Sequence, residues 1–183
     1  MIVFEIIKDF GFTANQTEEV IKLLKSNSGK YVQSNTHRII KNRNWLIITP
    51  NQTTEAANIL IEENDKQVEF ENGKIVLEIL QTTNHKPQTT NPVAQLDADE
   101  IKFPLLLRKC KKGDYFYPLG MQKKKKLSRF FGDLKLSLTQ KEKTWVIEMD
   151  RKIIWVVGLR IDDRFKITDK TKNILQITLT GSE

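Results

Sequence analysis

Four consecutive lysines, Lys123, Lys124, Lys125 and Lys126, close the run KGDYFYPLGMQKKKK that begins at Lys112. Lysine ammonium groups neutralise phosphates, so four in a row suit a polyanion backbone. The two turns ahead of them, Gly113-Asp114 and Pro118-Leu119-Gly120, expose backbone N–H groups. Tyr115 and Tyr117 lie between the turns and offer flat faces for an unstacked base, or a half-buried place in a core. Further along the chain come Arg129, Arg160, Arg164 and Lys166. Arginine can fork onto phosphate or stack on a base. Arg160 has an equal alternative, an ion pair with Asp162 or Asp163. Arg164 and Lys166 alternate with Phe165 and Ile167, a spacing that predicts one face of a strand. Asp114 reads as a turn residue capping its own backbone. In the first part of the chain, Arg38 and Arg43 join His37 and Lys41 in a small basic group around a hairpin.

Charge is unevenly distributed. Residues 1–97 hold ten Lys/Arg and twelve Asp/Glu, a net of −2, whereas residues 98–183 hold twenty and eleven, a net of +9. The asymmetry points to a polyanion partner for the second part. Other chemistries lack their residues. One cysteine, Cys110, permits no internal disulfide, and with two separated histidines it does not make a zinc site. Lys109 and Lys111 flank Cys110 and would lower its pKa, but no redox partner accompanies it. His37 has no carboxylate or nucleophile beside it, which argues against a general base. No apolar run approaches ~18 residues, and the apolar start MIVFEIIKDF lacks a basic lead and a cleavage site. The expectation is a cytoplasmic protein without a membrane partner.

The elements that must position these residues fall into two units, giving an α+β chain. A small helical and β unit at 1–81 is followed by a polar, Pro-containing linker at 82–96 and a mostly β domain at 97–183 with one or two short helices. The first unit predicts a helix to Phe10 ended by Gly11, then a second capped by Asn15 and Glu18 with Val20, Ile21, Leu23 and Leu24 as its stripe. Strands follow at 31–34, 37–41, 45–49, 58–62 and 67–70, and Asn72-Gly73 predicts a hairpin into 75–80. The second unit predicts strands at 105–108, 145–149, 153–158 and 174–180, a tight hairpin at Asp150-Arg151, and a helix over 125–132.

The words GD-x-x-x-PLG, Leu127-Ser128-Arg129-Phe130-Phe131, IWVVGLRI at 154–161 and RFKIT at 164–168 form a collinear series. That series resembles the C-terminal domain of bacterial tRNA(Ile)-lysidine synthetase. GF at 11–12, SGK at 28–30, HRII at 37–40 and WLII at 45–48 are similar to the family's middle region. The family's Ser-Gly-Gly-x-Asp-Ser loop is absent, as is any Gly-rich phosphate cradle. The resemblance therefore implies a C-terminal fragment, inactive alone, of an ATP-dependent ligase. Its partners would be isoleucine tRNA and the absent N-terminal catalytic domain. It would hold no cofactor itself, with ATP and Mg expected in that catalytic domain. Lys123–Lys126, Arg129, Arg160, Arg164 and Lys166 would be the tRNA contacts, with Arg38, Arg43, Tyr115 and Tyr117 as weaker ones. The competing expectation is an assembly module, in which the strands at 145–158 extend a sheet across a two-fold axis to form a homodimer.

Overall fold

A computed structural model describes residues 2–51, 58–81 and 92–181. The chain divides into Met1–Glu55 with Ser137–Gln140, and Ala56–Leu136 with Lys141–Glu183.

The first unit begins with α1 (Ile2–Ile7), which tightens into a 3₁₀ turn at Lys8–Phe10. Gly11 ends it in the left-handed region (φ +76°) and donates its N–H to the Lys8 carbonyl. A Cβ at Gly11 would also approach Thr36 Oγ1 to 2.7 Å, so glycine is needed for space as well as for its dihedral. The second helix, α2 (Thr17–Leu24), is led by a 3₁₀ turn at Ala14–Gln16. Its capping box lies at Thr13 and Gln16, not at Asn15 and Glu18: the Thr13 N–H donates to Gln16 Oε1 at 3.1 Å. The reason is that Asn15 is already inside the helical turn, while Thr13 keeps the extended backbone a cap requires. Val20 and Leu23 are buried, whereas Ile21 and Leu24 are exposed, a narrower stripe than expected. Three antiparallel strands follow in spatial order: β1 (Tyr31–Gln33), β2 (His37–Asn42) and β3 (Trp45–Pro50). Val32, Ile39, Leu46 and Ile48 pack against Ile7, Phe12, Val20 and Leu23.

The second unit holds two larger antiparallel sheets and a separate two-stranded one. Its elements in chain order are β4 (Ile59–Ile61), β5 (Gln67–Phe70), β6 (Gly73–Gln81), β7 (Val93–Asp97), β8 (Leu105–Lys109), β9 (Tyr115–Phe116), β10 (Lys125–Lys126) and α3 (Leu127–Asp133). After α4 (Leu138–Glu142) come β11 (Trp145–Met149), β12 (Lys152–Val156), β13 (Arg160–Ile161) and β14 (Asn173–Thr180). One larger sheet runs β13-β12-β11-β8-β4 and the other β5-β6-β14-β7. Their inner faces share one core that includes Ile75, Leu96, Leu107, Trp145, Ile147, Trp155 and Ile177. Trp145 and Trp155 are core residues, as the apolar strands around them imply. Burying side chains of this size stabilises by about 1.5–3 kcal/mol each. The β11–β12 hairpin turns on Asp150 and Arg151, both at positive φ (+46° and +62°), the conformation of a two-residue turn matched to strand twist.

Several elements differ from expectation. Residues 93–96 of the expected linker belong to β7, because β14 supplies a ladder from Ile174 to Thr178 for that short segment. Residues 82–91 lie outside the described ones. β6, expected in the first unit, pairs with β14 over eight residues and so belongs to the second. Lys125 and Lys126 are not the start of a helix. They pair with Phe116 and Tyr115 as β10, and α3 begins after them. Arg164 lies in a 3₁₀ turn, Asp163–Phe165, and Lys166 follows it, so the two do not share a strand face. The strands β11 and β12 are interior. β11 lies between β12 and β8, and β12 has β13 on its outer side at Trp155 and Val156. Among the described residues, no helix is long and apolar enough to cross a membrane.

Candidate nucleic-acid interface

The β9–β10 pair decides where the lysines point. Side chains directly opposite each other share a face. Phe116 faces Lys125, and Tyr115 faces Lys126. Phe116 is buried and packs edge-on against Phe130, with ring centroids 5.0 Å apart. Lys125 on that side is half-buried and its ammonium pairs with Asp133. Tyr115 and Lys126 on the other side are exposed. The Lys124 ammonium lies 5.3 Å from the Tyr115 ring centroid, within cation–π range. Tyr115, Lys124, Lys125, Lys126, Ser128 and Arg129 line a concavity of about 460 Å³. Ser128 is absent from the sequence reading, since a lone serine carries no charge signal.

Two acidic residues anchor the turn before the lysines. Asp162, fully buried, accepts the Tyr117 N–H through Oδ2 at 2.9 Å. Asp163 accepts the Gly120 N–H through Oδ1 at 2.9 Å. Backbone bonds from Leu119 N–H to the Ile161 carbonyl (3.1 Å) and from Asp163 N–H to the Tyr117 carbonyl (2.6 Å) complete the lacing. The Gly120 N–H and the Lys166 ammonium hold the Asp163 carboxyl below its usual range, against the opposing pull of burial. With 115–120 and 125–126 both fastened, Met121–Lys124 is the exposed tip.

Asp114 behaves as a turn residue, accepting the Lys111 N–H at 2.7 Å. It also meets the buried Arg108, whose guanidinium bonds Asp114 at 2.8 and 3.0 Å and Glu148 at 2.7 Å. Burial pulls the Arg108 pKa down, but the bonds to Asp114 and Glu148 outweigh it and leave it raised. The contact of Arg108 with Glu148 escapes a sequence reading because the two are brought together by the β8–β11 pairing. Cys110 reverses the expectation from its lysine neighbours. Burial, then the nearby Asp114 charge, push its thiol pKa up, and Sγ donates to the Lys141 carbonyl at 3.3 Å.

The eight main candidates therefore fall into two groups. Lys125, Arg164 and Lys166 are engaged by Asp133, Asp162 and Asp163. Lys123, Lys124, Lys126, Arg129 and Arg160 are exposed and have no carboxylate partner among the described residues. Arg160 does not pair with Asp162 or Asp163, because Arg164 and Lys166 occupy them. Tyr117 is half-buried and the Arg164 guanidinium covers one face of its ring at 4.4 Å. In the first unit, Arg38 lies over Tyr31 at 6.0 Å, and the Arg43 N–H donates to Ser28 Oγ at 2.7 Å. A larger cavity, about 720 Å³, is lined by Glu63, Asp65, Glu78 and Asp99 with one cation, Lys66. Its charge would repel a polyanion.

Comparison with known proteins gives a consistent picture. Residues 1–51 match the family model of the TilS substrate binding domain, and residues 105–178 that of the TilS substrate C-terminal domain. The tRNA(Ile)-lysidine synthase of Parabacteroides distasonis is 36% identical over 184 residues, covering 98% of this chain and 41% of the relative. The enzyme of the same name from Bacteroides thetaiotaomicron is 30% identical over 173 residues, covering 94% and 38%. The chain thus spans about two fifths of the length of these curated relatives. A crystal structure of a TILS C-terminal domain shares the fold, with a TM-score of 0.53 at 19% identity over 68% of this chain and 92% of that one.

Proposed function

Since the chain belongs to the tRNA(Ile)-lysidine synthase family by its two domain matches and its relatives, we propose that it is the tRNA-recognition part of such an enzyme. It grips the body and acceptor stem of isoleucine tRNA. A separate ATP-pyrophosphatase domain then converts the wobble cytidine to lysidine with ATP and lysine. The observation that carries this reading is the concavity at Tyr115, where Lys124, Lys126 and Arg129 meet without a neutralising carboxylate among the described residues. Cations left unpaired at a concave surface suit phosphates, and an exposed ring beside them suits a base or ribose. Among the described residues no group of three or more His, Cys, Asp or Glu gathers to hold a metal. We assign the ATP step to the catalytic domain.

The test is a salt titration of binding to isoleucine tRNA beside a duplex RNA of similar length. Preference for the tRNA is expected. The triple variant K124A/K126A/R129A should lower the salt slope by about two to three, since each phosphate contact contributes slightly less than one. Equal weak binding to both RNAs, with a slope unchanged by the substitutions, would overturn the reading.

A further inference from the structure

The turn end of the first unit's sheet carries an indole that the fold does not bury. Trp45 is 73% exposed, whereas Trp145 and Trp155 are each 2% exposed. Its surroundings have one sign of charge. From Val20 to Thr54 the sequence holds six Lys/Arg and no carboxylate, although residues 1–97 as a whole are slightly acidic. Register places Trp45 opposite Asn42, across the turn from Arg43. Arg43 sits at φ +53°, and its N–H is tied to Ser28 Oγ. The Gly29 N–H donates to the Lys41 carbonyl at 2.7 Å, and the Lys41 N–H to the Lys30 carbonyl at 2.8 Å. These bonds hold the segment from Ser28 to Lys30 alongside the turn. Lys30 and Arg43 are exposed and have no ion pair among the described residues.

We infer that Lys30, Arg43 and Trp45 form a second RNA contact, which stacks an unpaired base on Trp45 and holds the flanking phosphates with the two cations. It rests on the tRNA-recognition reading but uses a unit separate from the lysine run. The ligand class follows from the chemistry. Bases inside a duplex have both faces covered by their neighbours, so only a single-stranded or loop nucleotide can present a face to the indole. The absence of carboxylates from this stretch of sequence favours a polyanion over a protein of ordinary surface charge.

The burial of the other two tryptophans makes Trp45 the indole that solvent quenchers reach. Emission and acrylamide quenching of the intact chain are measured with isoleucine tRNA, a single-stranded RNA octamer and the same octamer as a duplex. The tRNA and the single strand should change the emission and shield the indole, the duplex should not, and Trp45→Phe should abolish the response. Trp45→Ala should weaken binding of the single strand about 5- to 150-fold, the range for losing one stacked base. Binding of tRNA with Trp45 emission and accessibility unchanged would overturn this inference and leave the tRNA reading intact. Failure to prefer tRNA over duplex, with the octamer still stacking on Trp45, would do the reverse. Shielding that grows with protein concentration alone would mean a second copy covers the indole, which also overturns it.

Discussion

The guanidinium of Arg164 lies fork to fork on the carboxylate of Asp162, Nε to Oδ1 and Nη2 to Oδ2, both at 2.9 Å. Asp162 is fully buried and also accepts the N–H groups of Tyr117 and Arg164. Arg164 is therefore needed to neutralise a buried charge that organises the turn before the lysines. Its raised pKa has the Asp162 hydrogen bond as its main cause. Arg164→Ala should destabilise the chain by about 1–3 kcal/mol in chemical denaturation, less than a wholly buried pair because the arginine is partly exposed. Lysine should rescue poorly, since it cannot fork. Unchanged stability with a reduced salt slope for RNA binding would instead make Arg164 a direct phosphate contact.

Lys125 and Lys126 are adjacent in sequence but differ in engagement. Lys126→Ala should lower the salt slope of RNA binding by about one. Lys125→Ala should leave the slope nearly unchanged, because Asp133 already balances its charge. Equal effects of the two substitutions would contradict the strand geometry that sends them to opposite faces.

Asp163 sets an acid limit on the same turn. Its carboxyl pKa is held below the ordinary 3.8, chiefly by the Gly120 N–H and then by Lys166. A depressed folded-state pKa gives stability that is present above the unfolded value and is lost as pH falls through the folded one. Stability of the native chain should therefore fall as pH drops below the ordinary carboxylate range, and Asp163→Asn should flatten that drop. Amide exchange at Gly120 measured across this range would report the same event locally. Identical pH profiles for the two proteins would remove Asp163 from the account.

Cys110 should react slowly. Its thiol is raised by burial and by Asp114, and it donates to a carbonyl. Alkylation by iodoacetamide at pH 8 should lag well behind that of a free thiol and should accelerate in denaturant. Fast labelling of the folded chain would show that Lys109 and Lys111 control it after all.

The parts of this fold that sequence reveals are those set by neighbours in the chain. Asn72-Gly73 marks its hairpin, and Asp150-Arg151 marks another because only two residues separate two apolar strands. Gly11 ends its helix where a positive φ is required. What stays hidden is set by distant partners. Val93–Asp97 is five residues beside a polar, proline-containing run, and only the β14 ladder makes it a strand. Lys125-Lys126 ahead of Leu-Ser-Arg-Phe-Phe reads as helix until Tyr115 and Phe116 are placed across from it. The candidate site follows the same division. The clustering of cations is local and legible. Which cations are already balanced depends on Asp133, Asp162 and Asp163, and those pairings are fixed by the folded geometry.

The pairing of β14 with β6 has a kinetic consequence. Thr180 meets Lys74 and Asn173 meets Gln81, contacts separated by roughly a hundred residues of chain. The central strand of the second sheet is thus the last one synthesised of that sheet, and among the described residues β7 pairs with no other strand. Loop closure over such separations is slow compared with forming local hairpins. On the ribosome, β11 and β12 can meet early, while the sheet built on β14 must wait for residue 180 to clear the exit tunnel.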